Sequence, residues 1–366
     1  MSVNLDNATI LMSAAYIKNA SDAFGPQGGD ALRLLLDSVR LVLAARPPEL
    51  INPPLTVVAP VGNQDADAIA AGHGKVAVLV DAEAVADYVA QRSSHECLIV
   101  IAADRTFRVV MPTAIVDHVA MATSAVVYHR RNGIERIAAG TTDVSVLKLS
   151  PISASAFADP TFSSLDDALD HYGRRARETA CEILRPVWAG GADGPRLVLN
   201  NRPEHTMRES LFQALSFILR KADVTREHVV DATKPVDIRV AWNGSPAEAL
   251  IEIKWLGRSL TAPGSATLYT NYSAGRAQEG ANQLANYLDL KKSNSAKQSV
   301  LGYLVVFDAR RRKVNGPHDR LSGADALAFE HDDIVYGPDH AALRADFKPP
   351  RRWFMRPRES DFQEAA

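Results

Sequence analysis

The sequence predicts a two-domain α/β chain, on three observations. Its 366 residues exceed what one hydrophobic core ordinarily organises. The first 150 residues alternate short valine-rich runs with segments of helical periodicity, as layered α/β domains do. After "SPISASAFADPTFSS" (150–164), a linker rich in small residues and proline, an order of helix, strand, turn, strand, loop, helix, strand fills a second α/β domain. With 46% apolar and 23% charged residues, the composition can supply both cores.

In the first domain (1–150), "GDALRLLLDSVRLVLAA" (29–45) has apolar residues at helical spacing and stops at "PPEL". "LTVVAPV" (55–61) and "KVAVLV" (75–80) are short buried-strand runs bounded by Pro, Gly and Asp. "DAEAVADYVAQR" (81–92) is a helix with Asp81 as its N-cap. "CLIVIAA" and "FRVVMP" are strands joined by "DRT". A helix near 113–122 and strands at "SAVVYHRR" and "DVSVLKL" (143–149) complete the domain.

The second domain (165–345) opens with helical spacing across 165–188 and a short strand at "RLVLN". Pro203 with Glu204 behind it starts a helix that runs to about Lys221. Strand 236–241, the turn "WNGSP" and strand 249–255 form a hairpin, since Asn-Gly is a strong tight-turn signal. A polar loop (257–273), a helix (274–291) and strand 299–307 follow, and 346–366 reads as a basic C-terminal tail.

The net charge of −2 does not announce a nucleic-acid binder. Residues 1–150 carry 12 Lys/Arg against 15 Asp/Glu and the remainder 29 against 28, but the later cations cluster at 291–297, 308–314 and 349–358. Local patches would have to meet phosphate. The tail interleaves Arg with Trp353 and Phe354, which stack on bases in some proteins and pack on their own domain in most. Two distant cysteines, the lack of a basic signal region and the lack of a long apolar run point to a cytoplasmic chain with no membrane span. P-loop, GxSxG and HExxH patterns are absent, and His171, His205 and His228 lack metal-ligand spacing.

"ALIEIKW" (249–255) is the anomaly. Its apolar residues ask for a buried strand, where Glu252 and Lys254 would be costly. Alternation puts Ile251, Ile253 and Trp255 on one face and the two charges on the other. Folding the hairpin back brings Asp237 beside Glu252, with Lys254 one pleat away. Two carboxylates so placed repel unless a cation lies between them or one is protonated. Mg²⁺ or Mn²⁺ held by such a pair, with a lysine near the reacting water, serves phosphodiester hydrolysis. The bland alternative is a half-exposed antiparallel strand whose charges face water. Asp289-Leu290-Lys291 repeats the spacing in a helical stretch and is set aside.

"PVD" (235–237) followed by "IEIK" (251–254) resembles the core motif of the PD-(D/E)xK nuclease superfamily, with one extra valine in the first element. The resemblance covers about 200–310. It implies a restriction-endonuclease-like α/β domain with a central mixed sheet flanked by helices, which cuts DNA with activated water. Asp237, Glu252 and the Ile253 carbonyl would be metal ligands and Lys254 the catalytic lysine. "QLANY" (283–287) matches the QxxxY pattern of RecB-like members, which gives Gln283 a supporting role in catalysis and makes it, with Arg276 and Tyr287 on the same helix face, a nucleic-acid contact. Glu209 is the expected acidic residue of the preceding helix, ahead of Glu204, and Arg310 an expected phosphate contact. The N-terminal domain would recognise a target, sense a small ligand or bind partner proteins, as in restriction and anti-phage defence. A homodimer is compatible with all of this. The rivals are a scaffold on this fold that binds nucleic acid without cutting, and a ligand-sensing switch that controls the second domain.

Overall fold

The structure, a computed structural model, describes residues 5–90, 92, 96–148, 150–191, 193–229, 235–294 and 299–363. It is a mixed α/β chain with two mixed sheets flanked by helices. The chain divides into two compact units, Met1–Ser164 with Gly244–Pro246, and Leu165–Asn243 with Ala247–Ala366. No helix among the described residues is long and apolar enough to cross a membrane.

The first unit runs α1 (Leu5–Phe24), α2 (Pro26–Ala45), β1 (Leu55–Pro60), α3 (Ala66–Ala71), β2 (Ala77–Leu79), α4 (Ala82–Ala90), β3 (Cys97–Ile101), β4 (Phe107–Val110), α5 (His118–Met121), β5 (Ala125–Arg131), β6 (Ile134–Ala139) and β7 (Thr142–Ser145). The sheet order is β2-β4-β3-β1-β5-β6-β7, and β1 and β3 are its one parallel pair among the described residues. Leu32, Leu35, Leu36, Val39, Val42 and Leu43 of α2 keep helical spacing and bury one stripe against the sheet. Asp81 caps α4 by accepting from the Ala84 amide at 2.8 Å. The helix expected near 113–122 is a single turn capped by Asp117, and the strand expected at 143–149 spans Thr142–Ser145. Strand β6 was legible in an unread signal: Asn132 (φ 50) and Gly133 (φ 73) form the tight turn that Asn-Gly favours.

The second unit contains α6 (Phe162–Arg177) from Leu165 onward, α7 (Pro203–Ile218), β8 (Ala222–Val229), β9 (Pro235–Trp242), β10 (Ala247–Leu260), β11 (Tyr269–Tyr272), α8 (Gly275–Asn294), β12 (Ser299–Ala309) and β13 (Arg351–Phe354). The sheet order is β13-β12-β10-β9-β8, with β11 paired to the far end of β10. β10, β12 and β13 are parallel, and β9 and β8 are antiparallel to their neighbours. Helix α8 covers one face of β10 and β12, where Ala277, Ala281 and Leu284 meet Leu250, Leu256 and Leu304. Helices α6 and α7 lie on the other face: Tyr172 packs edge-on against Phe307 and hydrogen-bonds Ser210 of α7 at 2.8 Å.

Three expectations are corrected here. The helix read across 165–188 ends at Arg177, and a 3-10 turn at Arg185–Val187 follows. "RLVLN" makes only isolated bridges through Leu199. Of the segment 346–366, the described part to 363 is no separate tail, because β13 extends the sheet and buries Trp353, Phe354 and Met355. Its aromatics are core, so they are not free to stack on bases.

Gly173 of α6 lets Trp353 pack, since a Cβ there would lie 2.4 Å from the indole Nε1. Ala gains up to about 1 kcal/mol over Gly in a helix, but overpacking a core costs about 1–3 kcal/mol. Gly173→Ala is therefore expected to lower the urea midpoint, whereas a gain in stability would show that β13 does not seat on α6.

Candidate active site

The β9–β10 ladder pairs Ala241 with Glu248 through Ile238 with Ile251, and then stops. β10 goes on pairing with β12 as far as Leu256, so the sheet forks between β9 and β10. Continued one step, the register would set Asp237 opposite Glu252. At the fork, the Asp237 side chain takes over from backbone pairing, and its Oδ2 accepts from the Ile253 amide at 2.8 Å. Asp237, Glu252 and Lys254 are all buried, at 6%, 1% and 3% exposure. The solvated-strand alternative therefore fails: β10 is the centre of the sheet, and its charges lie under α8.

Lys254 donates to Glu252 Oε1, while Glu252 Oε2 is buried without a hydrogen-bond partner. The lysine stem runs over Gly280 of α8, where a Cβ would sit 2.5 Å from Lys254 Cγ. From α7, Arg208 donates through Nη1 to Asp237 Oδ1 at 3.0 Å and contacts Glu227 at 2.6 Å through Nη2. Burial, Asp237 and Glu204 together push the Glu252 carboxyl up to about 8, against the pull of Lys254. Burial and Asp237 likewise raise Glu204. Lys254 is raised despite its burial, because Glu252, Glu204 and Asp237 outweigh the desolvation.

Gln283 and Tyr287 support the fork from behind. Gln283 Nε2 donates to the Tyr287 hydroxyl at 2.6 Å, which donates to the Pro235 carbonyl at 3.2 Å. The pair ties α8 to the start of β9, two residues before Asp237. Tyr287 is buried, so its expected contact with nucleic acid is replaced by this tie. Arg276 stands at the margin, 2.7 Å from Glu279, 4.0 Å from Glu204 and over the Tyr272 ring at 4.8 Å.

Two expected residues lie elsewhere. Glu209 accepts from Gln213 at 3.0 Å and pairs with Arg226; the Gln213 hydrogen bond, helped by Arg226, holds its carboxyl below the usual range, and it is no part of the carboxylate group. Glu204, ranked behind Glu209 from the sequence, is the α7 carboxylate that feels Asp237 and Lys254. Arg310 is clamped by Asp308 through Nε at 3.0 Å and Nη2 at 2.7 Å and lies over Phe329, so its charge is already matched. Sequence reasoning missed Arg208, because a cation on a helix face carries no signal until the fork brings Asp237 to it.

Among the described residues, no three His, Cys, Asp or Glu side chains are arranged to hold a metal. Asp237 and Glu252 remain as a pair, and Mg²⁺ asks for one or two carboxylates with water and phosphate oxygens filling the rest. The orphaned Glu252 Oε2 and the mutual repulsion of the carboxylates suit a cation there. The contact Ile253 makes in this cluster is through its amide.

The raised Glu252 carboxyl fixes a sign. In the folded chain it keeps a proton above its ordinary 4.5, so the stability it contributes is full below that pH and falls as pH rises toward about 8. Glu252→Gln removes this loss. In EDTA its melting temperature is expected to gain on wild type from pH 5 to pH 8, by about 2–4 °C for each kcal/mol relieved. A pH-independent difference would place Glu252 in contact with water. Gly280→Ala displaces Lys254 and is expected to cost about 1–3 kcal/mol in urea unfolding, against no loss if the lysine stem lies elsewhere.

Compared with protein-family models, curated proteins and solved structures, the chain matches none.

Proposed function

We propose that the second unit is a metal-dependent endonuclease that hydrolyses DNA phosphodiester bonds with activated water, in the manner of the PD-(D/E)xK superfamily it resembles. One observation carries the reading: Asp237, Glu252 and Lys254 are buried together at a fork in the sheet, with Glu252 Oε2 unpartnered. Apolar residues of similar volume would serve a core as well or better, so stability does not account for the group. Asp237 and Glu252 would hold Mg²⁺ or Mn²⁺, with the Ile253 carbonyl as a further ligand, and a bound ion would supply charge neutralisation and an activated water. Lys254 stands beside Glu252, where an ammonium orients that water and offsets charge growing on phosphate. Glu204 sets the local field, and Gln283 and Tyr287 hold β9 in place. The thiols of Cys97 and Cys181 are free, in keeping with a cytoplasmic location.

A second reading has one observation in its favour. Arg208 already pairs with Asp237, as in a nuclease-like scaffold that binds nucleic acid without cutting. For the first unit we propose ligand sensing. A cleft of about 360 Å³, lined by Pro60, Ile101 and Asp104 among others, opens at the carboxyl ends of parallel β1 and β3, where α/β sheets commonly take ligands.

Plasmid, linear duplex and single-stranded DNA with Mg²⁺, Mn²⁺ or EDTA separate these readings. Metal-dependent cutting is expected, reduced at least about 100-fold in Asp237→Ala and in Lys254→Ala. Equal cutting by both variants would sink the site. DNA retention without turnover, together with calorimetric Mn²⁺ binding too weak to detect, would establish the scaffold.

A further inference from the structure

Beyond the fork, at the carboxyl ends of parallel β10 and β12, a cleft of about 500 Å³ opens in the second unit. Arg258, Arg310, Arg311 and Lys313 line it beside Tyr272 and Phe329, and among the described residues no carboxylate does. A volume of this size takes a small ligand or one segment of a chain.

The four cations are not equivalent. Arg310 is matched by Asp308. Lys313 has a carboxylate partner, Asp325 at 3.2 Å, but its side chain is 78% exposed and free to turn. Among the described residues, Arg258 hydrogen-bonds only neutral groups: its Nε donates to Asn271 Oδ1 at 3.0 Å and its Nη1 to the Val314 carbonyl. Arg311 likewise donates to the Arg310 carbonyl at 2.7 Å and to the Met355 carbonyl, and its Nε has no partner. The carboxylates whose charge reaches Arg311, Asp308 and Glu330, are already engaged by Arg310, Arg352 and Arg356. Among the described residues, two guanidinium charges thus stand in one cleft without an anion in hydrogen-bond contact. Guanidinium is the side chain best matched to phosphate.

The cleft also connects with the fork. Lys254 and Gly257 are three residues apart on β10, about 10 Å in a strand, close to the rise of three nucleotides at about 3.4 Å each. Tyr272 at the cleft wall packs on Trp255 with ring centroids 4.6 Å apart and carries Arg276, which reaches Glu204. Each ring at the cleft wall already has a guanidinium over it: Phe329 carries Arg310 and Arg312, and Tyr272, which packs on Trp255, carries Arg276. The cations rather than the rings are what the cleft offers a strand, and they suit its phosphate backbone.

We propose that this cleft is a phosphate subsite that holds the nucleic-acid strand about three nucleotides from the bond cleaved, independently of base sequence. The proposal rests on the nuclease reading for the identity of the strand, but its test does not depend on cutting. Fluorescence anisotropy of labelled single-stranded and duplex DNA in EDTA would compare wild type, Arg258→Gln, Lys313→Gln and, as a control on the first unit, Lys18→Gln. Arg258→Gln and Lys313→Gln are each expected to weaken binding about 5–10-fold at low salt and to reduce the slope of log affinity against log salt by about 0.7–0.9, one phosphate contact. The control is expected to match wild type. Wild-type affinity and slope in both variants, with unchanged melting temperatures, would overturn the subsite. A uniform loss with an unchanged slope would overturn it too, as a structural effect. Displacement of the DNA by inorganic phosphate or a nucleoside monophosphate at micromolar concentration would reassign the cleft to a free anion and overturn the strand. Loss of cutting in Asp237→Ala is read separately, so failure of the nuclease reading leaves this result standing or falling by itself.

Discussion

The Asp237 carboxylate accepting the Ile253 amide is the contact on which the second unit turns. A central strand buried on both faces must pair its backbone groups, and an unpaired buried N–H costs about 1–3 kcal/mol. Where β9 leaves β10, that partner is missing, and a side chain supplies it. The same carboxylate is thereby fixed beside Glu252, and its charge adds to burial in raising Glu252 and Glu204. The fork and the electrostatics share one cause, since a sheet that stayed zipped would leave no opening between β9 and β10.

Two helices make the opening tolerable. α8 brings glycine to the point where the Lys254 stem crosses, and it anchors the start of β9 through Tyr287 and Gln283. α7 brings Arg208 to Asp237, and Arg208 also takes Glu227 of β8. Asp237, Glu252, Glu204 and Glu227 then face Lys254 and Arg208. Such a group is held by geometry that over-determines it, which sets it apart from chance surface pairs worth about 0–1 kcal/mol.

Much of this was legible because the signals were local. The alternation of "ALIEIKW" with the Asn243-Gly244 turn identified the hairpin and its two buried charges, and Pro203 marked the start of α7. The failures came where tertiary pairing overrides local pattern. β8, "ADVTREHV", is polar and became an edge strand only because β9 was there to pair. β13 looked like a basic tail because charge masked two aromatics that the sheet edge buries. On α7, Glu204 and Glu209 could not be ranked by helical spacing alone. What separates them is the crossing of the helix over the fork, which no periodicity encodes.

The arginines carry the same lesson into energetics. Clusters at 308–314 and 349–358 invited a reading as phosphate-binding patches, yet Arg351 pairs with Asp166 and Asp170, Arg352 with Asp308, and Arg356 with Glu330. An arginine already paired with a carboxylate must surrender that pair before it can hold phosphate, at a cost comparable to what it would gain. Affinity for a polyanion therefore depends on the few cations whose partners are neutral rather than on the number in the sequence. The net charge of −2 does not by itself decide how the chain meets a polyanion: among the described residues, Arg258 and Arg311 lie within one cleft and hydrogen-bond neutral oxygens rather than carboxylates.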